Sequence, residues 1–102
     1  NGGEFIVKSF SLDFYDKLTK KCIEFYGDRF HANPLIYKNT DTPNPFEPTK
    51  TSQIIWEYDK NRLNVLKSNN IKTLIVWEMD YKMNKQQTIE KCISFLNNEF
   101  TR

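Results

Sequence analysis

At 102 residues the chain has room for one domain built on one hydrophobic core. Its 38% hydrophobic and 15% aromatic content excludes a disordered polymer, and its longest apolar run, Leu74–Trp77, is far too short to span a membrane. Fifteen Lys and Arg against thirteen Asp and Glu leave +2, too small a bias to mark a nucleic-acid binder and too balanced to exclude one that keeps carboxylates for a metal.

The first third reads as strands. Phe5–Phe10 is short and β-rich, Ser11–Tyr15 follows with mixed apolar and polar residues, and Asp16-Lys17 makes a turn. Lys20–Tyr26 is the third strand and stops at Gly27. Tight connections predict an antiparallel meander. From Ala32 to Lys50 the texture changes: Pro34, Pro43, Pro45 and Pro48 among Asn and Thr leave an irregular loop of the length that usually serves function. A helix begins at Thr51-Ser52, either of which can cap it, and runs to Ser68 with Ile55, Trp56, Leu63 and Leu66 on its apolar stripe. Asn69-Asn70 ends it in place of the usual glycine. Ile71–Trp77 is a strand whose continuous apolar stretch implies burial on both faces. A last helix, Lys85–Asn98, carries Ile89, Cys92, Ile93 and Leu96 at core-facing spacing.

The order β-β-β-loop-α-β-α predicts a small α/β sandwich: a mixed four-stranded sheet, a three-stranded meander plus one parallel crossover strand, with helices packed on it. Cys22 and Cys92 lack C-x-x-C spacing and fall on apolar segments, so buried free thiols are expected rather than a disulfide or zinc site, which fits a reducing, intracellular setting.

Asp13 and Glu24 lie eleven residues apart on consecutive arms of the meander, where pairing can bring them to one face. Opposed carboxylates repel and are best tolerated with a cation between them; Mg²⁺ favours one or two carboxylates plus waters and a substrate phosphate. The plain alternative is two solvated strand charges. His31, the only histidine, closes Gly27-Asp28-Arg29-Phe30-His31 just past the strand that carries Glu24. An imidazole, with an ordinary pKa of about 6.5, suits proton transfer at neutral pH, although a lone histidine is more often incidental. Asp59 shares the apolar stripe of the first helix, where a carboxylate needs a partner: His31, a metal, or Arg62 one turn on. Glu57 points elsewhere and reads as solvated. No nucleophile elbow, Walker loop, zincin motif or cysteine-ligand cluster is present.

The order Asp13, Glu24-Phe25-Tyr26, Gly27-Asp28-Arg29-Phe30-His31, Asp59 and Leu74-Ile75-Val76-Trp77-Glu78 resembles the PD-(D/E)xK nuclease superfamily. The nearer likeness is its very short patch repair branch with the intron-encoded homing endonucleases of the E-D-x-H-D motif, carried by G-D-x-x-H, W-x-x-D-x-x-R-L and V-W-E. The resemblance implies a small restriction-endonuclease-like core and a Mg²⁺-dependent endonuclease, with Mn²⁺ as a substitute, acting on double-stranded DNA inside the cell. It implies Asp13 as a metal ligand, although Leu12 replaces the proline, Glu24 at the D/E position, and the Phe25 carbonyl on the metal. Tyr26 stands where most members have a catalytic lysine, a departure that branch shares, and His31 with Asp59 matches its histidine and aspartate. Asp28 joins the catalytic set as a carboxylate the repair enzymes lack. Relatives begin with a helix that can supply an acid, whereas this chain opens Asn1-Gly2-Gly3 with Glu4 the nearest acid. The expectation is one catalytic domain over residues 1–102, with a fragment of a larger DNA-binding protein left open. The competing readings are a non-catalytic nucleic-acid-binding module on the same fold and a protein-interaction domain.

Overall fold

The computed structural model describes residues 5–7 and 10–98, with side chains from residue 13 onward. The expectation for Asn1–Glu4 lies outside the described residues. Strands β1 (Phe5–Val7) and β2 (Phe10–Leu12) pair antiparallel as a separate two-stranded sheet. Strand β3 (Phe14–Asp16) pairs antiparallel with β4 (Lys21–Tyr26), and β4 pairs in parallel with β5 (Lys72–Trp77). The strand expected over Ser11–Tyr15 is therefore broken at Asp13. Its first half pairs backward with β1 and its second half forward with β4, so the expected four-stranded sheet with a continuous meander gives way to three strands plus two. The break has a local cause: the Asp13 carboxylate takes the Phe25 N–H at 2.7 Å, a bond that a ladder carbonyl would otherwise make.

The turn between β3 and β4 is built by Asp16, whose carboxylate accepts from the Leu18 N–H and the Thr19 hydroxyl. Helix α1 (Ser52–Ser68) starts where Thr51 accepts the Ile54 N–H through its side chain. At its far end Asn70 adopts a left-handed φ of 62°. The Asn70 and Ile71 N–H groups return to Lys67 and Leu66, the paired bonds of a Schellman stop. The helix then crosses over to place β5 parallel to β4, as the element order predicts.

Alternation along β4 sends Cys22, Glu24 and Tyr26 to one face and Lys21, Ile23 and Phe25 to the other. On the first face α1 packs: Leu66 joins Tyr15, Cys22 and Ile71 in the core, with Leu63 against them. On the second lies α3 (Lys85–Asn97), held by the buried Lys21, whose ammonium donates to the carbonyls of Phe95 (2.8 Å), Leu96 (3.4 Å) and Asn98 (2.6 Å). These are orphan acceptors at a helix C-terminus, so one charged side chain satisfies them and complements the dipole.

Two burial expectations are corrected. Strand β5 buries only Val76, with Lys72 exposed and the other residues half-buried, because it is an edge strand among the described residues. The apolar stripe of α3 is only partly covered: Ile89 and Ile93 are exposed, Cys92 and Leu96 are half-buried like Phe95, and the buried residue of the helix is Thr88. A short helix, α2 (Glu78–Met83), which no apolar periodicity announces, fills the corner between β5 and α3. Cys22 and Cys92 are free thiols, the first fully buried and the second half-buried. Among the described residues no helix is long and apolar enough to cross a membrane.

Candidate active site between strand β4 and helix α1

The interface between β4 and α1 is apolar at one end and charged at the other. Cys22 meets Leu66 at the apolar end; two positions along the strand Glu24 meets Arg62, and beyond it the Tyr26–His31 pair faces Asp59. Glu24 is 3% exposed, and its Oε1 accepts from Arg62 Nε at 2.9 Å. Burial works against the Arg62 charge, but the bond to Glu24 and its negative charge more than offset this and hold the guanidinium protonated. Asp13 approaches from the strand break, with Oδ2 on the Phe25 N–H and its own N–H 3.4 Å from Glu24 Oε2. A groove of about 190 Å³ joins Asp13, Glu24, Tyr26, His31, Asp59 and Arg62.

His31 reaches the groove because the segment after β4 coils tightly. Its N–H bonds the Gly27 carbonyl, the Asn33 N–H bonds the Asp28 carbonyl, and Ala32 takes a φ of 52°, an uncommon conformation for a residue with a Cβ. The bend is pinned to α1 by Trp56, whose indole N–H donates to the Ala32 carbonyl at 2.6 Å. Within it His31 Nδ1 lies 2.8 Å from Asp59 Oδ2. The imidazole also stacks on the Tyr26 ring, 3.9 Å between centroids and 6° between planes, and Trp77 meets that ring edge-on. Bond and stack together fix the ring's plane and leave Nε2 as the nitrogen not engaged by Asp59. Tyr26 is 5% exposed, and burial, with the charges of Asp59 and Glu24, raises its phenol well above the usual tyrosine range. Its hydroxyl has no hydrogen-bond partner among the described residues.

Of the side chains expected to carry chemistry, the fold gathers Asp13, Glu24, His31 and Asp59 around one groove, with Phe25 at its rim. Asp28 lies elsewhere in its contacts: Oδ1 accepts from Asn33 Nδ2 (2.9 Å) and the Met79 N–H (3.2 Å), and its N–H donates to Glu78 Oε1 (3.0 Å). It shapes the His31 bend and ties it to the start of α2. Glu57 is exposed and bonded to Gln53, the solvated residue expected. Arg62 and Tyr26 are the site members that spacing alone did not reveal. Arg62 pairs across to β4 instead of with Asp59 one turn away, and only the three-dimensional pairing of α1 with β4 shows it.

The donor set suits a hard cation. Among the described residues no three His, Cys, Asp or Glu side chains form a ready-made metal cluster, so an ion here would rest on the Asp13 and Glu24 oxygens, a backbone carbonyl, waters and a ligand. That is the sparse protein coordination Mg²⁺ accepts. Glu24 Oε2 has only the long Asp13 contact among the described residues, so the pairing with Arg62 does not consume both carboxylate oxygens. Comparison of the chain with protein-family models, curated proteins and solved structures found no match.

Proposed function

We propose that this chain is a metal-dependent DNA endonuclease with a restriction-endonuclease-like core. It belongs, on this reading, to the very short patch repair-like branch of the PD-(D/E)xK superfamily, as the catalytic domain of an intron-encoded homing endonuclease. The observation that carries the proposal is the convergence of two acidic arms on one groove: Asp13 with Glu24, and Asp59 bonded to His31. Carboxylates of this kind serve a divalent ion, and an oriented imidazole serves proton transfer; phosphodiester hydrolysis is helped by both.

Asp13 and Glu24, with the Phe25 carbonyl, would hold Mg²⁺ or Mn²⁺, which when bound polarises the phosphate and offsets the charge growing on its oxygens. Asp59 fixes the imidazole of His31 so that the opposite nitrogen faces the reacting groups. His31 then exchanges a proton with water or with the scissile phosphate. Arg62 holds Glu24 in place. Exposed cations on the irregular loop, Lys38 and Lys50, supply contacts to double-stranded DNA that position it without reading its sequence. The enzyme works inside the cell, where its DNA is.

One observation favours a second reading, a nucleic-acid-binding module that keeps this fold without turnover: a guanidinium already neutralises Glu24. Nicking of supercoiled plasmid with and without Mg²⁺ decides between them. Metal-dependent conversion to the open circle supports the endonuclease; DNA binding without conversion supports the module.

A further inference from the structure

A second hollow, of about 280 Å³, opens beside the groove and shares a wall with it: His31, Tyr58 and Asp59 line both. The rest of its lining is of another kind. Phe30, next in the chain to His31, is exposed there, and so are Ile54 and Tyr58, one turn apart on α1. Large apolar side chains gathered open to solvent in one concavity mark a ligand-binding surface. The polar lining comes from a single turn of the irregular loop, closed by the Glu47 N–H on the Asn44 carbonyl. Asn44 spends its side-chain oxygen on the Phe46 N–H, which leaves its amide N–H groups without a partner among the described residues. Glu47 is held by Lys50 through Oε1 at 3.1 Å. Aromatic rings, an amide donor and a carboxylate acceptor suit a ligand with flat apolar faces and a polar edge, which is what a nucleobase is. The carboxylates of Glu47 and Asp59 disfavour a phosphate in the same place.

Resting on the endonuclease reading, we propose that this hollow is a nucleobase pocket, which takes the base of a nucleotide next to the scissile phosphate. On that reading the phosphate lies in the groove, on the far side of the wall made by His31, Tyr58 and Asp59. A base is joined to its phosphate through one sugar, so a nucleotide set across that wall has its two ends in the two hollows. Phe30 and Tyr58 are the rings on which the base stacks, the Asn44 amide donates to an acceptor on its edge, and Glu47 accepts from an amino group. A base that enters has left the duplex stack, and stacking on the pocket's rings offsets part of that cost. The pocket thereby fixes where along the strand the phosphate stops.

Deoxyadenosine carries base and sugar, 2-deoxyribose carries the sugar alone, and neither depends on a metal or a phosphate. The wild-type chain is titrated with each and followed by NMR. The expected result is deoxyadenosine binding tighter by on the order of tenfold, with movement of the Phe30 and Tyr58 ring signals and of the Asn44 side-chain amide. Phe30→Ala should remove most of that difference, and Ile54→Ser, at an exposed helix position, serves if the first variant does not fold. Equal affinity for the two probes overturns the proposal. So do shifts that leave the Phe30, Tyr58 and Asn44 signals unmoved, or a folded variant that binds deoxyadenosine as well as wild type. Plasmid nicking by the wild-type chain in Mg²⁺ keeps the two failures apart. A chain that nicks but does not prefer deoxyadenosine loses the pocket alone. One that prefers deoxyadenosine but does not nick loses the endonuclease reading, and with it the placement of the base beside a scissile phosphate.

Discussion

A histidine bonded to a carboxylate at 2.8 Å has its tautomer and tilt decided by its neighbour, and His31 has its plane fixed as well by Tyr26. If that ring moves the proton, His31→Ala lowers the cleavage rate by roughly two to four orders of magnitude with DNA binding little changed. Asp59→Asn also slows cleavage, and the double variant falls well short of the two losses multiplied, because the pair acts as a unit. Independent losses in rapid-quench assays would make the pair structural. Glu24 and Arg62 predict a different signature. Glu24→Ala strands a largely buried guanidinium and should cost about 3–5 kcal/mol in urea unfolding, with Arg62→Met in the same chain recovering part of it. The raised phenol of Tyr26 has a signed pH consequence. Below about pH 10, the ordinary tyrosine value, its contribution is fully present. At higher pH the unfolded chain ionises first and stability falls, and Tyr26→Phe should flatten that decline in alkaline denaturation curves. At this scale the sequence was a good guide wherever a residue broke a pattern. Asp59 stood out because a carboxylate on an apolar stripe needs a partner. Arg62 did not, because helical spacing offers Asp59 as its mate, and a long side chain reaching a strand 38 residues away leaves no trace in local order.

Helix α1 shows which elements punctuation makes legible. Thr51 at its start and Asn70 at its end are both readable in the chain, and both do in the fold what their chemistry prescribes. Thr51→Ala should cost about 1 kcal/mol in unfolding free energy with little effect on turnover, since the cap lies about two turns before Asp59 and three before Arg62. The break at Asp13 and helix α2 were not legible. The first depends on a side chain replacing a ladder bond from another strand, and the second on a docking corner formed only after β5 and α3 are in place. Residues 33–49 are irregular, as the prolines require, and their edge contributes Asn44 and Glu47 to a second groove that shares His31 and Asp59 with the first. Added DNA should therefore slow proteolysis within this segment. An unchanged cleavage pattern, with binding verified by gel shift, would remove the loop from the contact surface.

Across the whole molecule, the α/β class and the parallel crossover followed from element order, but the division into a three-stranded and a two-stranded sheet did not, because pairing partners are chosen in space. Nor did the anchoring of α3, whose expected apolar stripe leaves Ile93 53% exposed. Lys21 takes over that work, so Lys21→Met should take the ammonium away from the carbonyls of Phe95 and Asn98 and cost about 1–3 kcal/mol. Hydrogen exchange should quicken first in α3, ahead of β4. The two ion pairs of the groove have a geometric consequence. Asp59 and Arg62 stand almost one turn apart on a single helix, and their mates, His31 and Glu24, stand on one stretch of chain around the end of β4. A helix fastened at one point can still pivot or screw along its axis, whereas one fastened at two points offset along that axis can do neither without breaking both fastenings. Helix α1 is keyed to the sheet like a shaft with two pins, and a slip by one helical turn, about 5.4 Å, would scatter all four groups at once, so the site's geometry and the helix's register stand or fall as a single quantity.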